Sequence, residues 1–318
     1  IVPNKSLVTQ TLEDYVNMGL DVGVYFGDKK EVGHTHTIAT WQSLNILEKK
    51  RQNGEDDLIE EFKRDVICVI VDEVHMAKAD VLKRLLTNVY GFVPIRWGLT
   101  GTVPKKDYEF KSLHVSLGDV INKVSAVELQ EKGLLAQLQI EIMQMVDWVE
   151  YKNYREEQTH LVTKPSRIKY IGRLVQEMVK SGNTLILVDR VKSGELLQEA
   201  IPNSTFVSGA TKSDDRKETY DEIQTEKDKV IIATYGVAAV GINLPRIFNL
   251  VLLEPGKSFV RVIQSIGRGI RKAKDKDFVQ VWDLCSTAKF SKRHLTERKK
   301  FYREAQYPFS VTKVDYES

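Results

Sequence analysis

Short apolar runs rich in β-branched residues alternate with amphipathic helical stretches along most of this chain, and that alternation constrains the fold more than any other feature. It argues for α/β architecture, with parallel sheets built from βαβ units. In the first half, strands are expected over 36–40, over the apolar run Val66-Ile67-Cys68-Val69-Ile70-Val71, and over 95–100. Helices are expected over 5–18 and 78–87. Near Leu134 the pattern changes to a long strand, 138–146, followed by a polar stretch, 150–163. A second series then runs through helix 166–181, strand 184–188, helix 194–201, strand 205–207, helix 213–225, strands 229–233 and 248–253, helix 258–272 and strand 278–284. A chain of 318 residues can hold two cores of ordinary size, so domains are expected over 1–133 and 134–318. The charged tract 48–64 reads as a solvated helix or loop.

Composition narrows the function classes. With 42% apolar and 29% charged residues, this is the make-up of a globular protein, and neither a membrane-length apolar run nor a signal-peptide pattern is present. A net charge of +3 permits a polyanionic partner without requiring one, so local clustering must decide. The two cysteines, Cys68 and Cys285, sit in strand-like segments without metal-ligand spacing and are expected to be buried, reduced thiols. The opening Ile1-Val2-Pro3 reads as the tail of a strand without an initiator methionine, so further residues are expected upstream.

Two distant fragments carry chemistry. Asp72-Glu73-Val74-His75 follows the apolar run 66–71, which places its carboxylates at the carboxyl end of a buried strand, where ligands gather in α/β sheets. Gln264-Ser265-Ile266-Gly267-Arg268-Gly269-Ile270-Arg271 puts two arginines three residues apart, near one face of a helix. Its two glycines cost about 1 kcal/mol each against alanine in a helix and call for a close approach to a phosphate or a facing domain. Hydrolysing a nucleoside triphosphate needs a carboxylate for Mg²⁺, a group to activate water, and positive charge on the departing phosphate. Asp72, Glu73 and the pair Arg268 and Arg271 fit those three roles, since a guanidinium offers forked donors and stays charged. A phosphate-cradling loop is missing. The near miss Gly256-Lys257-Ser258 has Val251 where a glycine is needed, and Glu254 and Pro255 bring a negative charge and a residue without a donor. It reads as a strand-to-helix turn.

Further short stretches complete a series: Val2-Pro3-Asn4-Lys5, Thr40-Trp41-Gln42, Leu99-Thr100-Gly101-Thr102, Asp189-Arg190, Ser208-Gly209, and Ala233-Thr234 followed by Gly241-Ile242-Asn243-Leu244-Pro245. In this order and spacing, and over nearly the whole chain, they resemble the superfamily-two helicases, entered just after the phosphate loop. The tail of the pattern and the segment 125–135 look like those of the phage recombination helicases. The resemblance implies two RecA-like parallel-sheet domains in tandem, the first truncated at its N-terminus. It implies ATP and Mg²⁺ held between them, with Asp72 on the metal and Glu73, His75, Gln264, Arg268 and Arg271 as catalytic groups. Gly241 and Asn243 would lie beside the nucleotide, the asparagine keeping an acceptor oxygen where many relatives carry aspartate. Thr100, Gly101 and Thr102 would couple the domains. Nucleic-acid phosphates would be met by Pro3, Asn4, Lys5, Thr40, Gln42, Arg190, Ser208, Gly209 and Thr234, with Trp41 either stacking on a base or packing in the core. Asn4 stands where the family has threonine. The implied activity is an ATP-driven motor on branched DNA, working on forks and Holliday-type junctions in recombination and repair. A cytoplasmic setting is implied, in the host cell if the chain is phage-encoded. Two alternatives stay open: an ATPase-inactive nucleic-acid-binding module, and a helicase acting on RNA or in a restriction complex.

Overall fold

The computed structural model describes residues 1–76, 79–101, 103, 107–238, 246–257, 266–267 and 273–317. Two compact units, Ile1–Lys123 and Val124–Ser318, divide the chain. That division falls ahead of the boundary expected after residue 133. The helix Ala126–Glu131 joins the second unit because Ala126 packs on its core and Gln130 Nε2 donates to the Ala136 carbonyl at 2.8 Å.

The first unit contains β1 (Val22–Phe26), β2 (Lys29–Lys30), β3 (His36–Ala39), β4 (Cys68–Val71) and β5 (Ile95–Gly98). β1 pairs parallel with β3 and antiparallel with β2, while β4 and β5 form a parallel pair. The opening residues stitch the two sheets together. Val2 bridges Thr40 in parallel and donates its amide to Ala39 at 2.9 Å, while the Asp72 amide donates to Ile1 at 2.9 Å. Val69 and Val71 face a core built with Leu44 and Leu47 of the helix Trp41–Gln52 and with Leu82, Leu85, Leu86 and Val89. The opposite face of the β4–β5 pair, bearing Cys68, Ile95 and Trp97, is exposed among the described residues. Cys68 is therefore not the buried thiol expected: strand alternation turns it away from the covered face. Cys285 is buried.

The second unit is one seven-stranded sheet in the order β12-β6-β11-β10-β7-β9-β8. Its strands are β6 (Gln137–Met145), β7 (Thr184–Val188), β8 (Ser204–Val207), β9 (Val230–Thr234), β10 (Asn249–Leu253), β11 (Phe278–Ser286) and β12 (Phe309–Val314). Every pairing is parallel. All five residues of β7 are buried, Leu185 and Leu187 in one apolar layer and Ile186 and Val188 in the other. This is the continuous apolar run of a strand covered on both faces.

Other expectations shift locally. The tract 48–64 contains the end of the Trp41–Gln52 helix and the helix Leu58–Lys63. Glu48, expected in solvent, is buried at 3% exposure because Arg51 clasps it through Nε and Nη2 at 2.9 and 2.8 Å. The polar stretch 150–163 is largely the helix Tyr154–Thr163, capped by Asn153. The expected helix 78–87 is α-helical over Ala79–Arg84 and widens to a π-turn over Leu85–Val89. The expected helix 258–272 lies outside the described residues except for Ile266, buried in the core, and Gly267. Among the described residues, no helix is long and apolar enough to cross a membrane.

Candidate nucleotide and nucleic-acid sites

β4 ends at Val71 and delivers Asp72, Glu73 and His75 to the carboxyl edge of its sheet. Asp72 Oδ1 accepts the Glu73 amide at 2.8 Å. Glu73 sits at φ +48°, a left-handed conformation that a non-glycine residue seldom adopts without a local reason. His75 Nδ1 lies 2.8 Å from Thr100 Oγ1 and 3.5 Å from Glu73 Oε2. Backbone bonds hold the two segments in step, Leu99 donating to Val71 at 2.8 Å and Val74 to Leu99 at 3.1 Å. Burial lowers the His75 pKa below the usual imidazole value, with Asp72 pulling the other way. The neutral ring can thus donate or accept beside Glu73 and Thr100.

Asp72 is the residue suited to Mg²⁺. Among the described residues no cluster of three or more ligating side chains occurs. Mg²⁺ is commonly held by one or two carboxylates, with waters and substrate phosphates completing its octahedron. A single oriented aspartate fits that chemistry.

Beside it, two helices present their N-termini at the ends of neighbouring strands. Asn4 Oδ1 caps Lys5–Asn17 by accepting from Leu7 at 3.0 Å, so this replacement for threonine is occupied by the helix itself. Thr40, buried, caps Trp41–Gln52 through the Ser43 amide at 3.3 Å and donates to Ser43 Oγ at 2.9 Å. Gln42 Nε2 donates to the Pro3 carbonyl at 2.8 Å and ties the two turns together. Lys5 is exposed. Trp41 is half-buried against the core, and its indole N–H has no hydrogen-bond partner among the described residues.

In the second unit, Arg190, Ser208, Gly209 and Thr234 gather at the carboxyl edge of β7, β8 and β9, whose register places Val188 beside Thr234 and Val207 beside Ala233. Arg190 is turned onto the helix Tyr154–Thr163, donating to Thr159 Oγ1 and to Gln158 Oε1, the latter at 3.1 Å. Ser208 is buried; its Oγ accepts the Ala210 amide at 3.3 Å. Gly209 is exposed, with open space where a Cβ would stand. Thr102, Gly241, Asn243, Gln264, Arg268 and Arg271 lie outside the described residues. Gly267 also faces open space, so packing among the described residues does not account for that glycine.

The turn rejected as a phosphate cradle is a different device. Glu254 follows β10 at φ +41° and is buried, with Oε1 accepting from Arg167 Nη2 and Oε2 from Ser291 Oγ, both at 2.7 Å. Burial raises its carboxyl pKa while Arg167 opposes the shift. Arg298 grips Asp283 with Nε and Nη2, each at 2.8 Å, and holds the Gly256 carbonyl with Nη1 at 2.7 Å. These buried arginines anchor the turn from which residues 258–272 depart. Sequence reading missed them: Arg167 lies 87 residues from Glu254, and both arginines look like members of ordinary polar helices.

Residues 1–105 match the res subunit of type III restriction enzymes, and residues 166–273 match the helicase conserved C-terminal domain. The chain is 24% identical over 321 residues to the ATP-dependent DNA helicase uvsW of Enterobacteria phage T4, a match covering 95% of this chain and 62% of the phage protein. It is 24% identical over 254 residues to the XPB helicase/translocase subunit of general transcription and DNA repair factor IIH from Drosophila melanogaster, covering 77% of this chain and 31% of that one. Among solved structures, a fragment of a proposed HsdR subunit of a type I restriction enzyme from Vibrio vulnificus YJ016 aligns with a TM-score of 0.69 at 17% identity, covering 96% of this chain and 56% of the other. The chain spans less than two thirds of the length of these relatives. With both units matched and the tandem RecA-like fold in common, the chain belongs to the superfamily-two helicases.

Proposed function

We propose that this chain is the motor core of an ATP-dependent DNA helicase or translocase that remodels branched DNA in recombination and repair. The observation that carries the reading is the meeting of Asp72, Glu73 and His75 with Thr100, the histidine 2.8 Å from the threonine hydroxyl. Strand-end carboxylates alone would fit many α/β proteins. Coupling them to the next strand through a partly buried histidine is what a triphosphatase linked to movement requires.

In this reading Asp72 holds Mg²⁺, which draws charge from the triphosphate when bound. Glu73, fixed by its left-handed backbone, takes a proton from the attacking water, and His75 passes the state of that carboxylate to Thr100. Arg268 and Arg271 supply positive charge to the departing phosphate, and Gly241 and Asn243 lie beside the nucleotide. Thr102 joins Thr100 and Gly101 in coupling, and Gln264 completes the catalytic set. Pro3, Asn4, Lys5, Thr40, Trp41 and Gln42 form one nucleic-acid contact, with Lys5 and helix N-terminal amides for phosphates. Arg190, Ser208, Gly209 and Thr234 form a second. Binding through phosphates carries little sequence preference. The name of the phage relative, a DNA helicase, favours DNA over RNA. The likeness to the type I restriction fragment is one of fold, whereas residues 1–105 match the res subunit by sequence.

DNA-stimulated ATP hydrolysis, measured on this chain and on the protein extended upstream of Ile1, tests the reading together with Glu73→Gln. Activity in either form that falls at least about 100-fold on substitution supports it. Inactivity of both forms, with DNA binding retained, would favour the inactive binding module. Comparison of forked DNA with duplex RNA as substrate decides the nucleic acid.

A further inference from the structure

The helix Lys289–Glu304 buries Ser291, His294, Leu295, Arg298 and Tyr302 against the second unit. Its solvent face is mostly basic, with Glu297 and Glu304 along one margin. Lys289, Lys292, Arg293, Lys300 and Arg303 are all exposed, and at 3.6 residues per turn they fall within an arc of roughly 100° along about 21 Å of helix. Lys300 is paired with Glu297 at 2.8 Å. The other four have no carboxylate within ion-pair distance among the described residues. Burial first, then the core Arg298, Lys257 and lastly Arg293 of this row, lower the His294 pKa to about 4.

A basic amphipathic helix can also lie on a lipid surface, but that requires an apolar face free to enter the bilayer. Here that face is committed to the core. What remains is a row of cations held by a rigid element, which complements the regular row of charges on a nucleic-acid backbone. We propose that the helix Lys289–Glu304 is a phosphate-tracking rail for duplex DNA, separate from the strand-end contacts described above. The inference rests on reading the chain as a DNA motor and assigns it a further contact surface. Such a rail holds duplex of any sequence and lets it slide.

The test is binding of a mixed-sequence DNA duplex across a salt series, by fluorescence anisotropy, with Lys289→Gln, Lys292→Gln, Arg293→Gln and Arg303→Gln combined. Each phosphate contact contributes a slope of about 0.9 in log affinity against log salt, so the fourfold variant should flatten the slope by about 2 to 3.6. Removing Lys49, Lys50, Lys132 and Lys180 in the same way should leave the slope nearly unchanged. If both variants lose slope equally, net charge is responsible and the rail is wrong; if neither does, it is also wrong. Unchanged DNA binding with lost binding of polyglutamate would assign the stripe to an acidic protein and overturn the proposal. Should the fourfold variant fail to fold, Lys292→Gln alone should still lower the slope by about 0.9. Glu73→Gln separates the two readings: if hydrolysis survives it while the slope changes as expected, the motor fails and the rail stands.

Discussion

Two glutamates in this molecule occupy nearly the same backbone situation, and the proposed function gives them opposite work. Glu73 and Glu254 each follow a parallel strand, β4 and β10, and each is held at positive φ, +48° and +41°. Glu254 is enclosed by Arg167 and Ser291, so its charge is matched and its position fixed. Glu73 faces a histidine whose proton affinity burial has lowered. The turn sets a carboxylate at the strand end; in the proposed function the neighbours decide whether it is a rivet or a reagent.

The comparison is easiest to break by exchanging the outcomes. Glu73→Gln should lower hydrolysis by about 10²- to 10⁴-fold while the urea midpoint stays where it was. An equal loss of stability would make Glu73 a rivet too. Arg167→Met should strand Glu254 as a buried, unmatched carboxylate and cost about 3–5 kcal/mol in urea unfolding. A cost below about 1 kcal/mol would show that the pair adds little, contrary to the reading of it as an anchor. Thr100→Val removes the partner of His75, and the loss of one hydrogen bond, about 0.5–1.5 kcal/mol, should appear as a several-fold drop in hydrolysis with little change in melting temperature. A further effect is one of pH. His294 stays unprotonated in the folded state down to about 4, whereas the unfolded chain takes up that proton near pH 6.5. The unfolded state binds more protons in that window, so stability should fall as pH drops from about 6.5 toward 4. His294→Gln should flatten that part of the melting profile.

The legible parts of the fold are those where burial imposes a pattern. β7 shows in the sequence with its true bounds because all five residues are covered and none needs to be polar. β12 escapes because it is an edge strand whose middle residues, Ser310 to Lys313, are exposed and carry no alternation to detect. β1 escapes as well, its short apolar run containing Gly23 and sitting among loop-like residues. The site divides in the same way. Asp72 and Glu73 stand out because the apolar run before them fixes a strand end and further motifs follow in order. The link from His75 to Thr100 spans 25 residues and exists only once β4 and β5 pair. Glu254 was visible only as a reason to reject a phosphate loop, since the arginine that explains it comes from another helix.

The stitch at the start of the chain sets the distance between chemistry and grip. From the Asp72 amide one hydrogen bond reaches the Ile1 carbonyl, two peptide units lead to Pro3, and Gln42 fastens the Pro3 carbonyl to the neighbouring helix. Nothing along that path is a long flexible side chain except the last link. In the proposed function, a pull on the turn at Pro3 therefore reaches the strand end at Asp72 as displacement, with little slack to absorb it, as a short rod transmits thrust where a cord would not.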